Sequence, residues 1–476
     1  MRMEAPVLSA GEILKATGGF PFKGGAEWLC RGLSTDTRTL HEGNLFIALT
    51  GDRFDGHDCL AAAAEKGAAG LLIRADRLGK LDAGIKGLPV IGVPDTLRAL
   101  GDIASMWRRR FSLPVVAITG SSGKTTTKEM IAAIAARSRK ILVTEGNLNN
   151  LIGLPQTLLR IREEHELAVV EMGTNSPGEI ARLAAIAAPD IGLITNIGPA
   201  HLEGLGSLEA IREEKGALFY VMNGRGTAII NRDDDAIGIL ARRRRGDRIT
   251  FGLKSGADIT ARRVARGGPK GVRFNLVIDG IGVPVRLPVP GQHNVQNALA
   301  AGAAAWALGV EREEIAGGLA AFCPLPGRME IRRLGNGAFV IMDTYNANPA
   351  SMRESLVTLQ GLRKKGTTIA ILGDMLELGT QAQELHEEIG FMLVKTGVDR
   401  VFLKGPLSRS TAVGAIKKGF PEERIAFFDD PEEVLGPLWS FLKKDDWILI
   451  KGSRKMKMEV VAESIISTFD LNPQTV

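Results

Sequence analysis

From Leu113 onward, short apolar runs alternate with stretches of helical periodicity: LPVVAITG, KILVTEG, LAVVEMG and IGLITNIG each end in a turn and lead into a helix. Near-continuous apolar runs suit strands buried on both faces, and strands separated by helices dictate a parallel sheet with helices packed on each side. Between Thr250 and Pro290 the pattern changes to polar-apolar alternation with glycine-rich breaks (RVARGGPKGVRFNLVIDGIGVPVRLPV). That pattern predicts antiparallel hairpins beside the main sheet. An alanine-rich helix follows from His293. After the break CPLPGRME, a second alternating series (FVIMDTYNANP, TTIAILGDM, RVFLKG, RIAFFDD, DWILIKGS) predicts a doubly wound, Rossmann-like domain of its own. Pro and Gly near 324–327 suggest a hinge before it.

A chain of 476 residues is too long for one hydrophobic core. The expected class is α/β in three domains. Residues 1–110 form a small mixed α/β N-terminal domain. Residues 111–323 form a central P-loop, parallel-sheet ATPase-type domain with an antiparallel β subdomain. Residues 324–476 form the Rossmann-like C-terminal domain. Hydrophobic residues at 45% and charged residues at 24% exclude an extensively disordered protein.

Cys30, Cys59 and Cys323 show neither metal-ligand spacing nor an even disulfide framework, which fits a reducing cytoplasm. The opening MRMEAPVLSAGEILKATGG lacks the apolar run of a signal peptide and suits a short amphipathic helix. The small-apolar stretch Ala298 to Val310 is shorter than the roughly 20 residues of a bilayer span, so it is expected to be a buried helix. The formal charge of +6 admits a nucleic acid or an acidic small substrate. The basic runs Arg108 to Arg110 and Arg242 to Arg245 lack the interleaved aromatics of a single-strand groove, and are expected to be solvated faces.

The segment VVAITGSSGKTTTKEM runs from an apolar strand through a Gly/Ser turn into a helix. Glycines there let backbone N–H groups face phosphate oxygens, and the helix N-terminus adds partial positive charge. Lys124 can reach β/γ oxygens and the Thr125 hydroxyl can ligate magnesium. Ile118 stands where the strict Walker pattern has its first glycine, so the loop is a shortened one beginning at Gly120. The bland alternative is a tight turn with an incidental lysine. Magnesium shared with phosphates also needs ligands at neighbouring strand ends. Glu171 ends the apolar run LAVVEMG, where an unpaired charge would be costly, and so reads as a metal ligand. His201 follows the next strand in TNIGPAHLEGLGS; its alternative is a surface or capping role. Lys215 lies on the following helix, where an exposed lysine is the usual case.

Taken in order, GSSGKTTT, the Glu171 strand end, NIGPAHLEGLGS with its downstream lysine, GQHNVQNALAA and PLPGRMEI resemble the Mur ligase superfamily. The N-terminal LSTDTRTLHEGNLFIALTGDRFDGHD resembles the UDP-binding domain of members that add later residues of the peptidoglycan stem peptide. TEGNLNNLIGLP, DTYNANPASMRESL, ILGDMLELG and KGSRKMKME resemble the branch that joins D-Ala-D-Ala to UDP-N-acetylmuramoyl-tripeptide. The alternatives within the superfamily are the third-residue ligase, whose C-terminal recognition motif is absent, and folylpolyglutamate synthase, which lacks the uridine-binding pattern.

The resemblance implies ATP and Mg2+ as cofactors. Gly120, Ser121, Ser122, Gly123, Lys124, Thr125 and Thr126 would bind the ATP phosphates, with Thr125, Glu171, His201 and Lys215 around the metals and Lys215 carrying a carbamate. Asn294 and Asn297, on one helical face, would meet adenine, Arg328 an ATP phosphate and Asp343 the ribose. Asn346, Asn348 and Ser351 would shape the D-Ala-D-Ala end, while Asn147, Asn149 and Asn150 would line the acceptor region. Ser34, Asp36 and Arg38 of STDTR would recognise UDP, arginine supplying a forked donor to the diphosphate; alone, STDTR also reads as a polar turn. His57 is expected to be structural.

The implied reaction is amide formation through an acyl phosphate with release of ADP and phosphate, in cytoplasmic peptidoglycan precursor synthesis. The expected enzyme is a monomer without nucleic acid or membrane insertion. The rival from another class is a P-loop ATPase stimulated by nucleic acid.

Overall fold

The computed structural model describes residues 6–51, 54–81, 85, 87–266 and 268–470. The chain divides into two compact units. One comprises Met1–Val115, Lys140–Met172 and Ala181–Pro189; the other comprises Val116–Arg139, Gly173–Ile180 and Asp190–Val476.

In the first unit a five-stranded sheet runs in the order Phe20–Lys23, Val90–Val93, Gly70–Arg74, Leu45–Ile47, Leu33–Ser34, parallel except for the antiparallel first pair. Phe46, Leu71, Ile73 and Val90 pack its core with Leu40, Leu60 and Ala63. The predicted amphipathic helix is Ala10–Thr17, started by a capping box between Ser9 and Glu12; the first five residues of that segment lie outside the described residues. The same unit holds the parallel pair Ile141–Val143 and Leu167–Glu171, joined through the short helix Gly153–Leu158.

In the second unit the strand Val115–Thr119 is buried at all five positions and pairs in parallel with Ile191–Ile194, followed by Thr227–Asn231 and Arg248–Phe251. The alternating segment forms Ile259–Arg266, Val272–Ile278 and Ile281–Leu287, antiparallel to one another. The last two are joined at Asp279 (φ 49°) and Gly280 (φ 77°), the two left-handed positions a tight hairpin turn requires. These hairpins adjoin the parallel strands as the alternation suggested, and they do so within one sheet. Phe251 pairs with Ile259, so they continue the same sheet. The buried helix begins at Gln292 and runs to Ala307, with Ala298, Leu299 and Ala300 to Ala305 buried.

The C-terminal six-stranded sheet has the order Glu330–Arg333, Phe339–Asp343, Trp447–Lys451, Thr368–Gly373, Arg400–Lys404, Ile425–Phe427, parallel except for its first strand. It is doubly wound, with one core on each face. Asp343 and Lys451 end adjacent strands, as ligand-binding residues do in such sheets. Among the described residues no helix is long and apolar enough to cross a membrane.

Two arginines of the basic runs have structural partners, and Arg108 is not on a solvated face. Arg108 is buried and donates to the carbonyls of Ala187 and Phe111 at 3.1 and 2.9 Å. Arg244 donates to the carbonyls of Asp247, Arg225 and Gly226 at 2.7 to 3.0 Å. Both tie chain segments together, Arg108 by donating to a buried carbonyl and Arg244 by bridging carbonyls nearer the surface.

Candidate active site

The turn between Val115–Thr119 and the helix Lys124–Ala135 is shaped by two glycines. Gly120 has φ 148°, and a Cβ there would lie 1.9 Å from the Thr195 hydroxyl; Gly123 has φ 77°, with a Cβ 2.4 Å from Asn297 Oδ1. The loop is held by the end of the neighbouring strand. Thr195 donates to the Ser122 carbonyl at 2.6 Å, and Asn196 Oδ1 accepts from the Ser122 N–H at 2.9 Å. Ser121 donates to the Gly198 carbonyl at 2.8 Å. Lys124 folds back to donate to the Gly120 carbonyl at 2.7 Å. Thr126 lies in the first turn of the helix. The N-cap of that helix is Gly123, which brings no side-chain cap, and such a helix start suits a phosphate.

Lys215 lies on the helix Leu208–Met222 and is 1% exposed, not the surface lysine that composition favours. Burial first, and then the charge of Lys124, push its pKa down to about 7, with Glu214 acting in the opposite sense. Glu214 is itself occupied, accepting from the N–H groups of Gly178 and Ile180 at 2.6 and 2.7 Å. The neutral form of a buried amine is the one that takes up carbon dioxide as a carbamate.

Glu171, 2% exposed, ends its strand. Oε1 accepts from Asn149 Nδ2 at 2.8 Å, whereas Oε2 is buried without a protein partner. A buried carboxylate oxygen in that state is costly unless a cation meets it, so the residue fits a metal ligand. Among the described residues no three His, Cys, Asp or Glu side chains converge to hold a metal ion. Magnesium shared with nucleotide phosphates needs only one or two protein carboxylates. In the asparagine cluster, Asn150 caps the following helix by accepting from Ile152 and Gly153, a local structural task, and Asn147 accepts through its carbonyl from the Asn149 N–H.

His201 precedes the short helix Leu202–Leu205 and pairs through Nδ1 with Glu377 Oε2 at 2.7 Å. The hydrogen bond from His201 holds the Glu377 carboxyl below its usual value, against the effect of burial. On the helix Gln292–Ala307, Asn297 donates to Asn294 at 3.1 Å, Asn294 donates to the Pro290 carbonyl at 2.7 Å, and Asn297 Oδ1 accepts from Thr127 at 3.4 Å. The pair therefore lies on one helical face as expected and backs the phosphate loop.

Arg328 reaches the loop, donating to the Thr125 hydroxyl at 2.9 Å, with its guanidinium 3.9 Å from the Tyr345 ring centroid. Asp343 receives Lys451 Nζ at 2.5 Å and the Ser355 hydroxyl at 2.7 Å. Burial opposes its ionisation, yet the Lys451 ammonium and these hydrogen bonds hold its pKa below the ordinary value. Asn348 and Ser351 form the capping box of the helix Pro349–Leu362, and Asn348 Nδ2 also donates to the Ser121 carbonyl at 3.2 Å. Asn346 accepts from the Ala347 and Arg454 N–H groups.

In the first unit, a pocket of about 520 Å³ is lined by Ser34, Thr35, Asp36, Gln156, Arg160 and Arg162, with others. Ser34 donates to the Asp36 carbonyl at 2.9 Å, the polar turn that STDTR also suggested. Arg38 lies outside that lining, its side chain 87% exposed and clasped by Asp36 at 2.6 Å. That clasp holds the Asp36 pKa near 2. His57 is structural, as expected: Nδ1 meets Asp55 at 2.6 Å and Nε2 accepts from the Arg74 N–H at 3.1 Å.

The sequence did not single out Glu377, Lys451, Thr195 or Asn196. All four lie inside motifs that drew attention for other residues: ILGDMLELG, KGSRKMKME and TNIGPAHLEGLGS. Polar residues at strand ends were the available signal.

Three stretches match models of one family. Residues 30–108 match the Mur ligase family catalytic domain, 118–305 the Mur ligase middle domain, and 327–454 the Mur ligase glutamate ligase domain. The chain is 36% identical over 441 residues to the UDP-N-acetylmuramoyl-tripeptide--D-alanyl-D-alanine ligase of Bacillus subtilis (strain 168), covering 92% of this chain and 93% of that protein. A crystal structure of MurF from Acinetobacter baumannii matches with a TM-score of 0.89 at 32% identity, over 98% of this chain and 100% of that one. MurF ligase from Thermotoga maritima in complex with ADP matches with a TM-score of 0.82 at 29% identity, over 92% and 98%.

Proposed function

The chain belongs to the Mur ligase family, and from that premise we infer that it is an ATP-dependent ligase joining D-alanyl-D-alanine to UDP-N-acetylmuramoyl-tripeptide, with release of ADP and phosphate. The observation that carries this is the full-length similarity to a ligase of that name, 36% identity across 92% of the chain. It includes the N-terminal segment, which a motor ATPase would not need. The reaction belongs to peptidoglycan precursor synthesis in the cytoplasm.

Residues 1–110 take the UDP moiety, 111–323 hold ATP, and 324–476 supply further ATP contacts and receive D-Ala-D-Ala. The tripeptide carboxylate attacks the γ-phosphate to give an acyl phosphate. The D-Ala-D-Ala amine then attacks the activated carbonyl. Gly120 to Thr126 cradle the phosphates with backbone N–H groups, and Lys124 and Arg328 offset their charge. Asn294 and Asn297 serve the adenine and Asp343 the ribose. Magnesium, when bound, would neutralise phosphate charge; Thr125, Glu171, His201 and a carbamylated Lys215 would hold it. Glu171 is supported by its orphaned Oε2 and Lys215 by its lowered pKa.

Asn147, Asn149 and Asn150 line the acceptor region, Asn149 by orienting Glu171. Asn346, Asn348 and Ser351 shape the D-Ala-D-Ala end. Ser34 and Asp36 meet the UDP moiety within the lined pocket, and Arg38 does so by exchanging Asp36 for diphosphate. No side-chain nucleophile is needed, so the protein acts by positioning.

The deciding experiment measures ADP release with each substrate omitted in turn, using lysine- and diaminopimelate-containing tripeptides. Release that requires both UDP-tripeptide and D-Ala-D-Ala supports the assignment. Release stimulated by DNA or RNA without them would sink it.

A further inference from the structure

His201 and Glu377 are 176 residues apart in sequence, yet Nδ1 and Oε2 lie 2.7 Å from each other. Both residues have left-handed backbones, φ 56° and φ 64°. For residues with a Cβ this conformation is disfavoured and persists only where the surroundings fix it.

The surroundings of Glu377 do fix it. The Met375 N–H donates to His386 Nε2 at 3.1 Å, and the Leu376 N–H donates to the Ser453 hydroxyl at 2.8 Å. Asp374 is tied down by the N–H groups of Leu407 and Ser408 at 3.1 and 2.7 Å. On the other side the Glu203 N–H donates to the Glu377 carbonyl at 3.1 Å. Leu202 and Leu205, next to the histidine, share one apolar core with Met375 and Leu378. The loop that leaves the strand Thr368–Gly373 is thus a preset template that delivers one carboxylate to one imidazole.

An ionised carboxylate can only accept a hydrogen bond, so Nδ1 carries a proton, and in the neutral ring it is Nε2 that holds the lone pair a cation needs. A histidine that ligates a metal is commonly held in this way, its other ring N–H given to a carboxylate that fixes the tautomer and raises ligand basicity.

We infer that Glu377 is a positioning residue for His201, presenting Nε2 in direction and tautomer to a divalent cation. The inference rests on the proposed role of His201 as a metal ligand. Glu377 touches neither substrate nor cation in this role; it acts through the imidazole, and a loop of the C-terminal sheet thereby sets the ligand strength of a residue on the central segment.

The test is Mn2+ binding to the full-length chain in the presence of ADP, followed by loss of the free-ion EPR signal, together with thermal unfolding of each variant. Glu377→Ala is expected to weaken Mn2+ affinity about 10-fold or more. Glu377→Gln, which keeps an acceptor oxygen at the same reach, restores part of the loss and carries the test if the alanine variant fails to fold. His201→Ala weakens binding at least as much, and adding Glu377→Ala to it causes no further loss. Unchanged Mn2+ affinity in both Glu377 variants, with weakened affinity in His201→Ala, overturns the positioning role and leaves the ligand role standing. Unchanged affinity in His201→Ala overturns the ligand role, and this inference with it.

Discussion

Arg328 donates a hydrogen bond to the Thr125 hydroxyl at 2.9 Å, across 203 residues of sequence. The same guanidinium lies over the Tyr345 ring at 3.9 Å. A planar cation is thereby stacked and aimed at the loop that receives phosphate, with donors to spare. Arg328→Lys keeps the charge but neither the fork nor the stacking face, so it is not a conservative change here. Both Arg328→Lys and Arg328→Ala are expected to lower kcat/KM for ATP, the alanine variant by about 100-fold. Steady-state ADP release over a range of ATP concentrations checks this, and a lysine variant indistinguishable from the parent would refute the forked contact.

At Gly120 the available space is the constraint. A Cβ would sit 1.9 Å from Thr195 Oγ1 on a backbone of φ 148°, and Thr195 cannot retreat without losing its bond to the Ser122 carbonyl. Gly120→Ala is therefore expected to distort the loop and cost about 1 to 3 kcal/mol of stability together with nucleotide affinity. Isothermal titration with ATP, alongside thermal unfolding, separates the two losses. Native-like ATP affinity in this variant would show that the loop has more room than its geometry allows.

Removing the charge instead of the space gives a different signature. Lys124→Ala leaves the glycines and the strand-end clamp of Thr195 and Asn196 intact, so the chain is expected to stay folded while turnover falls below detection. Circular dichroism and ADP release together test it. Normal turnover would refute the phosphate-loop assignment.

Much of this arrangement was legible in the sequence, and what was not shares a cause. Glu171 could be placed because a carboxylate closing an apolar run is anomalous within its own segment. The glycine-rich breaks between Thr250 and Pro290, one of which holds the turn at Asp279 and Gly280, were equally local. Glu377 could not be found, because what makes it special is an imidazole 176 residues away. The continuation of the hairpins into the parallel sheet was hidden for the same reason: periodicity reveals which face of a strand is buried, while the Phe251–Ile259 pairing depends on the partner. At Arg38 the motif was legible but the local partner was not: an aspartate two residues away clasps the guanidinium, and a diphosphate would have to displace it.

Lys215 makes the pH dependence explicit. Its pKa is lowered to about 7, first by burial and then by Lys124, so the amine loses its proton through neutral pH. Carbamate forms on the neutral amine; its occupancy is therefore expected to rise between roughly pH 6 and 8. Removing the Lys124 charge relieves the repulsion and raises the pKa, so in Lys124→Ala the rise should begin at higher pH. Carbon-13 NMR of enzyme equilibrated with labelled bicarbonate reads the occupancy directly, with Lys215→Arg as the blank. A flat profile across this range would contradict the burial argument.

Asp343 and Lys451 end neighbouring strands with side chains 14% and 2% exposed, and their charges meet at 2.5 Å. Losing one partner of such a pair leaves the other buried and uncompensated. Lys451→Met is thus expected to cost about 3 kcal/mol at neutral pH. The pH dependence follows from the lowered pKa of Asp343. Its contribution to stability is present above the unfolded carboxylate pKa and is lost as pH falls through the folded value. In the variant the ammonium is gone and burial alone acts, which raises the Asp343 pKa, so the carboxyl protonates early and its buried charge disappears. The stability gap between variant and parent should therefore be widest at neutral pH and narrow as pH falls below about 4. Urea unfolding followed by tryptophan fluorescence, with Trp447 on the same strand as Lys451, measures the gap at each pH. A gap of constant size from neutral to acid would mean that Lys451 supports this sheet by packing and not by its charge on Asp343.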